Sequence, residues 1–211
     1  MFYTHERRTE KAPVINAPMP KASGGHDQGD VDKYLSSRLL SPLLAKRNGW
    51  YPSRDAGDAA LRVVIPCTNS LRYNYWQARA IDKWVSIRYQ SPRCARTDSI
   101  VVVYPDVISS NSVVIVEGPM DALAAAMLGF KAVAVMGNTP SNSVLDFLVR
   151  EVAGTKYLLV ADSDAPSAAA STAHTLSAEQ NVRAFVIQTY PEKDLAACSP
   201  SFRKAVLSRY A

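Results

Sequence analysis

Glu117, Asp162, Asp164 and Asp194 are acidic groups that each fall just after a run of apolar, β-type residues, and Lys193 lies beside the last of them. The runs are Val113–Val116, Tyr157–Ala161 and Arg183–Ile187. If those runs are neighbouring parallel strands, their carboxyl ends share one edge, where ligands of open α/β sheets collect. Carboxylates brought together repel, and some must protonate or share a cation. Mg²⁺ suits such a site because it takes one or two carboxylates and completes its shell with water and substrate phosphates. Asp162 and Asp164 are the candidate holders, and Glu117 can add a ligand or move a proton. A DxD pair alone also reads as a loop pair or a helix cap. Asp121 lies in the first turn of the helix after Glu117, where a favourable interaction with the helix dipole is its expected role.

The elements that would position these residues follow from the hydrophobic pattern. Strands are expected at 113–116, 132–136, 157–161 and 183–187. Between them, Met120, Leu123, Met127 and Leu128 mark one helix closed by Gly129, and Val144, Leu145, Leu148, Val149 and Val152 mark another closed by Gly154. An Ala-rich helix is expected from about Pro166 to Glu179 and a last one from Ser201 to Tyr210. This alternation implies an α/β fold with a parallel sheet flanked by helices. Upstream, residues 12–30 concentrate Pro, Gly, Ser and Asp and read as a flexible arm. Two short helices broken at Ser41-Pro42 are expected between Val31 and Asn48. Residues 61–105 read as a small, mostly β part. The chain thus divides into an arm or linker (1–30), a basic α+β subdomain (31–105) and an α/β domain with a C-terminal helix (106–211).

Charge follows the same division. Residues 31–105 carry twelve Lys and Arg against five acids, whereas residues 106–211 carry eight against ten. A basic middle suits a polyanion and an acidic end suits cations. Arg72, Arg79, Lys83, Arg88, Arg93 and Arg96 stud the basic part and are candidate nucleic-acid or nucleotide contacts. Tyr73, Tyr75, Trp76 and Tyr89 could stack unpaired bases, although Trp76, on an alternating strand, is expected in the core.

The 211 residues contain no apolar run of the roughly 18–20 residues that a membrane span needs, so no membrane partner is expected. The first residues lack the apolar stretch of a secretory signal. Cys67, Cys94 and Cys198 are too scattered for a disulfide framework or a zinc ribbon, and a soluble protein of a reducing cytoplasm is expected. His5, His26 and His174 show no local ligand spacing and are read as surface residues.

Four segments in this order carry a family resemblance: Val116-Glu117-Gly118-Pro119-Met120-Asp121, Met136-Gly137-Asn138-Thr139, Asp162-Ser163-Asp164 and Pro191-Glu192-Lys193-Asp194. Together, over residues 112–198, they resemble the TOPRIM domain of DnaG-type and bacteriophage primases, topoisomerases and some nucleases. The preceding Arg62-Val63-Val64-Ile65-Pro66, Trp76-Gln77-Ala78-Arg79 and Arg88-Tyr89-Gln90-Ser91-Pro92 look like the basic subdomain before TOPRIM in primases. There, such stretches line the template and nucleotide path. Arg79 matches the family arginine, Arg88 stands where the family has lysine, and Arg96 is a loose match.

The resemblance implies RNA primer synthesis on a single-stranded DNA template from ribonucleoside triphosphates. Mg²⁺ or Mn²⁺ would be held by Glu117, Asp162, Asp164 and Asp194. Glu117, Asp162, Asp164 and Lys193 would be the catalytic set, with Glu117 as general acid/base and Lys193 near the phosphates. One carboxylate that often follows the family's Lys-Asp pair is replaced here by Leu195-Ala196-Ala197. The sequence contains neither a zinc-binding module nor a Walker motif, so a replicative helicase would act in trans. A bacteriophage or mobile-element source, and hence a host bacterial cytoplasm, is the corresponding expectation. The rival readings are a metal-dependent TOPRIM nuclease, a non-catalytic nucleic-acid-binding accessory protein and a receiver-type signalling domain.

Overall fold

The computed structural model describes residues 17–69, 75–92, 99–136, 140–163, 166–189 and 192–210. In chain order the strands are β1 (Tyr51–Ser53), β2 (Arg62–Asn69), β3 (Tyr75–Ala80), β4 (Tyr89–Gln90), β5 (Ser99–Val103), β6 (Ser112–Val116), β7 (Lys131–Ala134), β8 (Lys156–Ala161) and β9 (Arg183–Gln188). The α-helices are α1 (Gly25–Ser37), α2 (Pro42–Arg47), α3 (Pro119–Ala126), α4 (Asn142–Phe147), α5 (Pro166–Glu179) and α6 (Pro200–Leu207). α4 runs on through a π-helical turn, Leu148–Val152.

One sheet runs through the molecule in the order β4-β3-β2-β5-β7-β6-β8-β9, with β1 also paired to β2. β7, β6, β8 and β9 are mutually parallel, as the alternation of apolar runs and helical patterns implies. β4, β3, β2 and β5 are antiparallel. The two parts join through β5 and β7, which pair antiparallel from Val101↔Ala134 to Val103↔Ala132. The basic segment is therefore built onto the edge of the parallel sheet.

Period-two geometry sends alternate strand residues to opposite faces. Val114, Val116, Leu158 and Val160 pack with α1, α2, α3 and Leu207 of α6 on one face. Val113, Ile115, Tyr157 and Leu159 pack with α4 and α5 on the other. Burial on both faces explains why these strands read as continuous apolar runs. Helix starts follow local chemistry: the Ser41, Ser141 and Ser199 side chains accept the amides of Leu44, Val144 and Phe202.

Residues 17–30 differ from the flexible arm expected over 1–30. α1 begins at Gly25, and the segment before it is tied down by side-chain donors from the sheet. Trp76 Nε1 donates to the Pro18 carbonyl (3.0 Å), Tyr51 Oη to Pro20 (2.8 Å) and Ser53 Oγ to Lys21 (2.7 Å). The Pro- and Gly-rich composition reflects an extended chain laid on β1 and β3, which local sequence does not distinguish from a loose linker. The part of the arm before residue 17 lies outside the described residues.

Candidate active site

The carboxyl ends of β6 and β8 place Glu117 and Asp162 side by side. Both residues line a small, mostly apolar pocket of about 40 Å³ beside α5. Both also line a second cleft, of about 350 Å³, on the side of α3. The Met136 amide donates to the Glu117 carbonyl (2.9 Å), so the turn after β6 is locked to the end of β7. The segment after β9 is folded back onto β8: the Ser163 amide donates to the Lys193 carbonyl (2.9 Å). Thr189 Oγ1 reaches the Ala161 carbonyl (3.3 Å) and the Glu192 and Lys193 carbonyls (3.2 and 3.4 Å). These bonds bring Lys193 and Asp194 to the cleft beside Asp162.

Asp121 lies in the first turn of α3, where the helix dipole favours a carboxylate, and it has a further partner. It is buried, and its Oδ1 accepts the Ala196 amide at 2.7 Å. Burial first, then the charges of Asp194 and Asp162, push its carboxyl from the usual 3.8 up to about 7. The Ala196 amide and Arg38 pull the other way. Gly118 is what lets this carboxylate sit under the Glu117 turn, since a Cβ there would lie 2.9 Å from Asp121 Oδ2.

The opposite wall is basic and comes from the preceding segment. Arg38, Arg79 and Arg88, with Tyr89, face Glu117, Asp121, Asp162 and Asp194 across the cleft. Arg79 Nε donates to Tyr34 Oη (3.2 Å), and its guanidinium stands 4.6 Å from the centroid of the Tyr89 ring. Burial pushes the Tyr89 phenol up to about 12 against the neighbouring Arg79 charge, so Tyr89 is a neutral support. Arg38 Nε is buried and has no hydrogen-bond partner among the described residues.

Two buried arginines shape this wall and floor from behind. Arg62, fully buried on β2, is paired with Asp58 (2.7 Å) and donates to the Ala78, Ile87 and Arg88 carbonyls. Arg203 of α6 donates to Leu195 (3.0 Å), Ala196 (2.6 Å) and Leu39 (3.2 Å). It fixes the segment whose amide Asp121 holds.

The structure therefore collects Glu117, Asp162, Lys193, Asp194, Arg79 and Arg88 at one cleft. Lys83 is exposed and does not line it. Asp164, Arg72, Arg93 and Arg96 lie outside the described residues, as does Tyr73. Tyr75 and Trp76 are buried, with the indole packed on Ala56, Val64 and Ala78, so neither stacks bases. Sequence reasoning misses Arg38 and Arg203; the only trace of either is a charged residue within an amphipathic helical run. Elsewhere, His26, Asp27 and Asp30 bring ligand atoms within 4.8 Å of one another, a spacing not foreseen for His26. Arg54 already pairs with Asp27 there (2.9 Å).

The donor chemistry of the acidic wall fits a hard divalent ion. Asp194 and Asp162 lie close enough to Asp121 to raise its carboxyl. Among the described residues, no three acids of this cleft bring ligand atoms within 4.8 Å of one another.

The match that decides the relationship covers this wall: residues 114–198 fit the family model described as Toprim-like. Residues 114–198 are similar to Toprim-like domains. No curated protein sequence matches the chain. Among solved structures, the DnaG primase catalytic domain bound to ssDNA has a TM-score of 0.64 at 17% identity, covering 85% of this chain and 71% of that one. The E. coli primase catalytic core gives 0.63 at 16%, covering 87% and 72%. A DNA primase domain from Pseudomonas aeruginosa gives 0.60 at 17%, covering 85% and 71%. The shared fold thus extends beyond the Toprim-like domain into the arginine-bearing segment.

Proposed function

We propose that the protein is a primase-like nucleotidyltransferase that builds short RNA on single-stranded DNA. The observation that carries this reading is the two-walled cleft, with Arg38, Arg79 and Arg88 opposite Glu117, Asp162 and Asp194. Phosphates entering it meet cations on one side and, on the other, carboxylates that tolerate them only with a divalent ion between. Mg²⁺ or Mn²⁺ held by Glu117, Asp162 and Asp194, with Asp164, would polarise the phosphoryl group and offset the charge of the departing pyrophosphate.

The chain's own residues supply the rest. Arg79, held in place by Tyr34 and Tyr89, presents a fixed guanidinium edge to phosphate oxygens. Arg38 Nε is a donor awaiting an acceptor, and a triphosphate oxygen would satisfy it. Lys193 adds a mobile positive charge on the acidic side. Glu117 would take the proton of the attacking 3′-hydroxyl.

Incubating the protein with single-stranded DNA, four ribonucleoside triphosphates and Mg²⁺ or Mn²⁺ tests this. The expected result is short, template-dependent RNA that is absent for Asp162→Ala. Shortened template without RNA would make the protein a nuclease. Binding without either product would make it an accessory factor.

A further inference from the structure

Trp84 is 78% exposed, the most open of the large apolar side chains in the described structure, and Ile87 beside it is 57% exposed. Exposing an indole forgoes a large apolar burial, and an indole held over a fixed backbone offers a ready stacking face. Here it is fixed. The turn between β3 and β4 is clamped by Arg88, whose Nη1 donates to the Asp82 carbonyl and Nη2 to the Lys83 carbonyl, both at 3.0 Å. Val85, the next residue, is buried with Ala60 and Ala80 and anchors the turn from below. The Ala80 amide donates to the Arg88 carbonyl (2.9 Å) and closes its base.

The arginine that frames this turn also lines the catalytic cleft. Trp84 therefore stands one residue from a carbonyl held by a cleft guanidinium. Lys83, exposed, gives the tip a positive charge, while Asp82 lies within the field of Arg54. A rigid, exposed indole beside cations is the pairing that single-stranded nucleic acids use, with bases on the ring and phosphates on the charges. We infer that Trp84 is a stacking platform for an unpaired base of single-stranded DNA running from the cleft over the β3–β4 turn. This rests on the primase-like reading and extends it, adding an exposed aromatic contact where Tyr75 is buried.

The chain has three tryptophans, and Trp50 and Trp76 are buried, at 4% and 8% exposure. Intrinsic fluorescence consequently reports chiefly on Trp84. Titrating the protein with a single-stranded oligodeoxythymidylate should quench and shift that emission in step with binding followed by anisotropy of labelled DNA. Trp84→Ala should fold normally, lose the quenching and bind about five- to a hundred-fold more weakly, with Trp84→Phe restoring most of the affinity. Binding by wild type with unchanged emission, or equal affinity for Trp84→Ala, overturns the inference and leaves the reading of the cleft standing. Loss of self-association in Trp84→Ala with intact DNA binding overturns it in favour of a protein contact. No binding of the oligonucleotide by wild type removes both the inference and the reading beneath it.

Discussion

The Ala196 amide donates to Asp121 Oδ1 at 2.7 Å, joining the first turn of α3 to the segment that follows Lys193 and Asp194. This bond couples the acidic end of β6 to the acidic end of β9. It also explains why Asp121 is drawn inside, among other carboxylates, rather than left in solvent.

A carboxyl whose folded value is raised binds its proton more tightly when folded than when unfolded. Asp121, raised from the usual 3.8 to about 7, therefore favours the folded state below pH 4. That contribution fades as pH rises towards 7. Asp121→Asn keeps an acceptor for the Ala196 amide and removes the charge. The variant should melt higher than wild type above pH 7 in metal-free buffer, and the advantage should shrink below pH 5. Thermal melts across that range decide the matter; a difference that does not change with pH would show that Asp121 does not titrate there.

Gly118→Ala should disturb the site without backbone strain, because Gly118 has φ −108° and an added Cβ meets Asp121 Oδ2 at 2.9 Å. Crowding of this kind costs about 1–3 kcal/mol. Urea unfolding should show that loss, together with reduced nucleotide transfer. A fully stable and active variant would mean that the Glu117 turn has more room than its geometry indicates.

Arg203→Met should be among the most damaging changes distant from the cleft. It strips donors from the carbonyls of Leu195, Ala196 and Leu39 at a position that is 2% exposed. The Leu195 carbonyl keeps the Cys198 amide and Leu39 is exposed, so the Ala196 carbonyl is the buried acceptor chiefly affected, and chemical denaturation should show a loss of about 1–3 kcal/mol. Retention of wild-type stability would mean that water replaces the guanidinium.

Arg79→Ala should weaken single-stranded DNA binding and flatten its salt dependence by about 0.7 in the log–log slope for each phosphate that is no longer neutralised. Equal slopes for wild type and Arg79→Ala would take Arg79 off the phosphate path.

The parallel half of the fold is legible in the chain because its strands are buried on both faces and its helices carry clear apolar stripes. Its acidic residues are legible for the same reason, since each directly follows or lies near such a strand. The amino-terminal stretch is less so. Residues 17–24 take their order from distant donors such as Trp76 Nε1 and Tyr51 Oη, and no local pattern encodes those partners. The first-turn position of Asp121 is a local cue and is read directly, whereas its bond to the Ala196 amide, 75 residues away, is not. Arg38 and Arg203 are hidden in the sequence because each is defined by what a tertiary neighbour leaves open or requires. Trp76 lies in the core, as its alternating strand implies, whereas the burial of Tyr75 beside it depends on tertiary packing that the alternation does not encode.

The claim beneath these predictions is that a divalent ion sits between the acidic and basic walls of one cleft. Fe²⁺ placed at a Mg²⁺ site and supplied with hydrogen peroxide and ascorbate reduces the peroxide to hydroxyl radicals that cut the nearest backbone, and the fragments can be mapped by mass spectrometry. The account predicts cuts around Glu117, Asp162 and Lys193, with others across the cleft near Arg38, Arg79 and Arg88, all abolished in Asp162→Asn. Cuts confined to His26–Asp30, or a cleft pattern that survives Asp162→Asn, would contradict it.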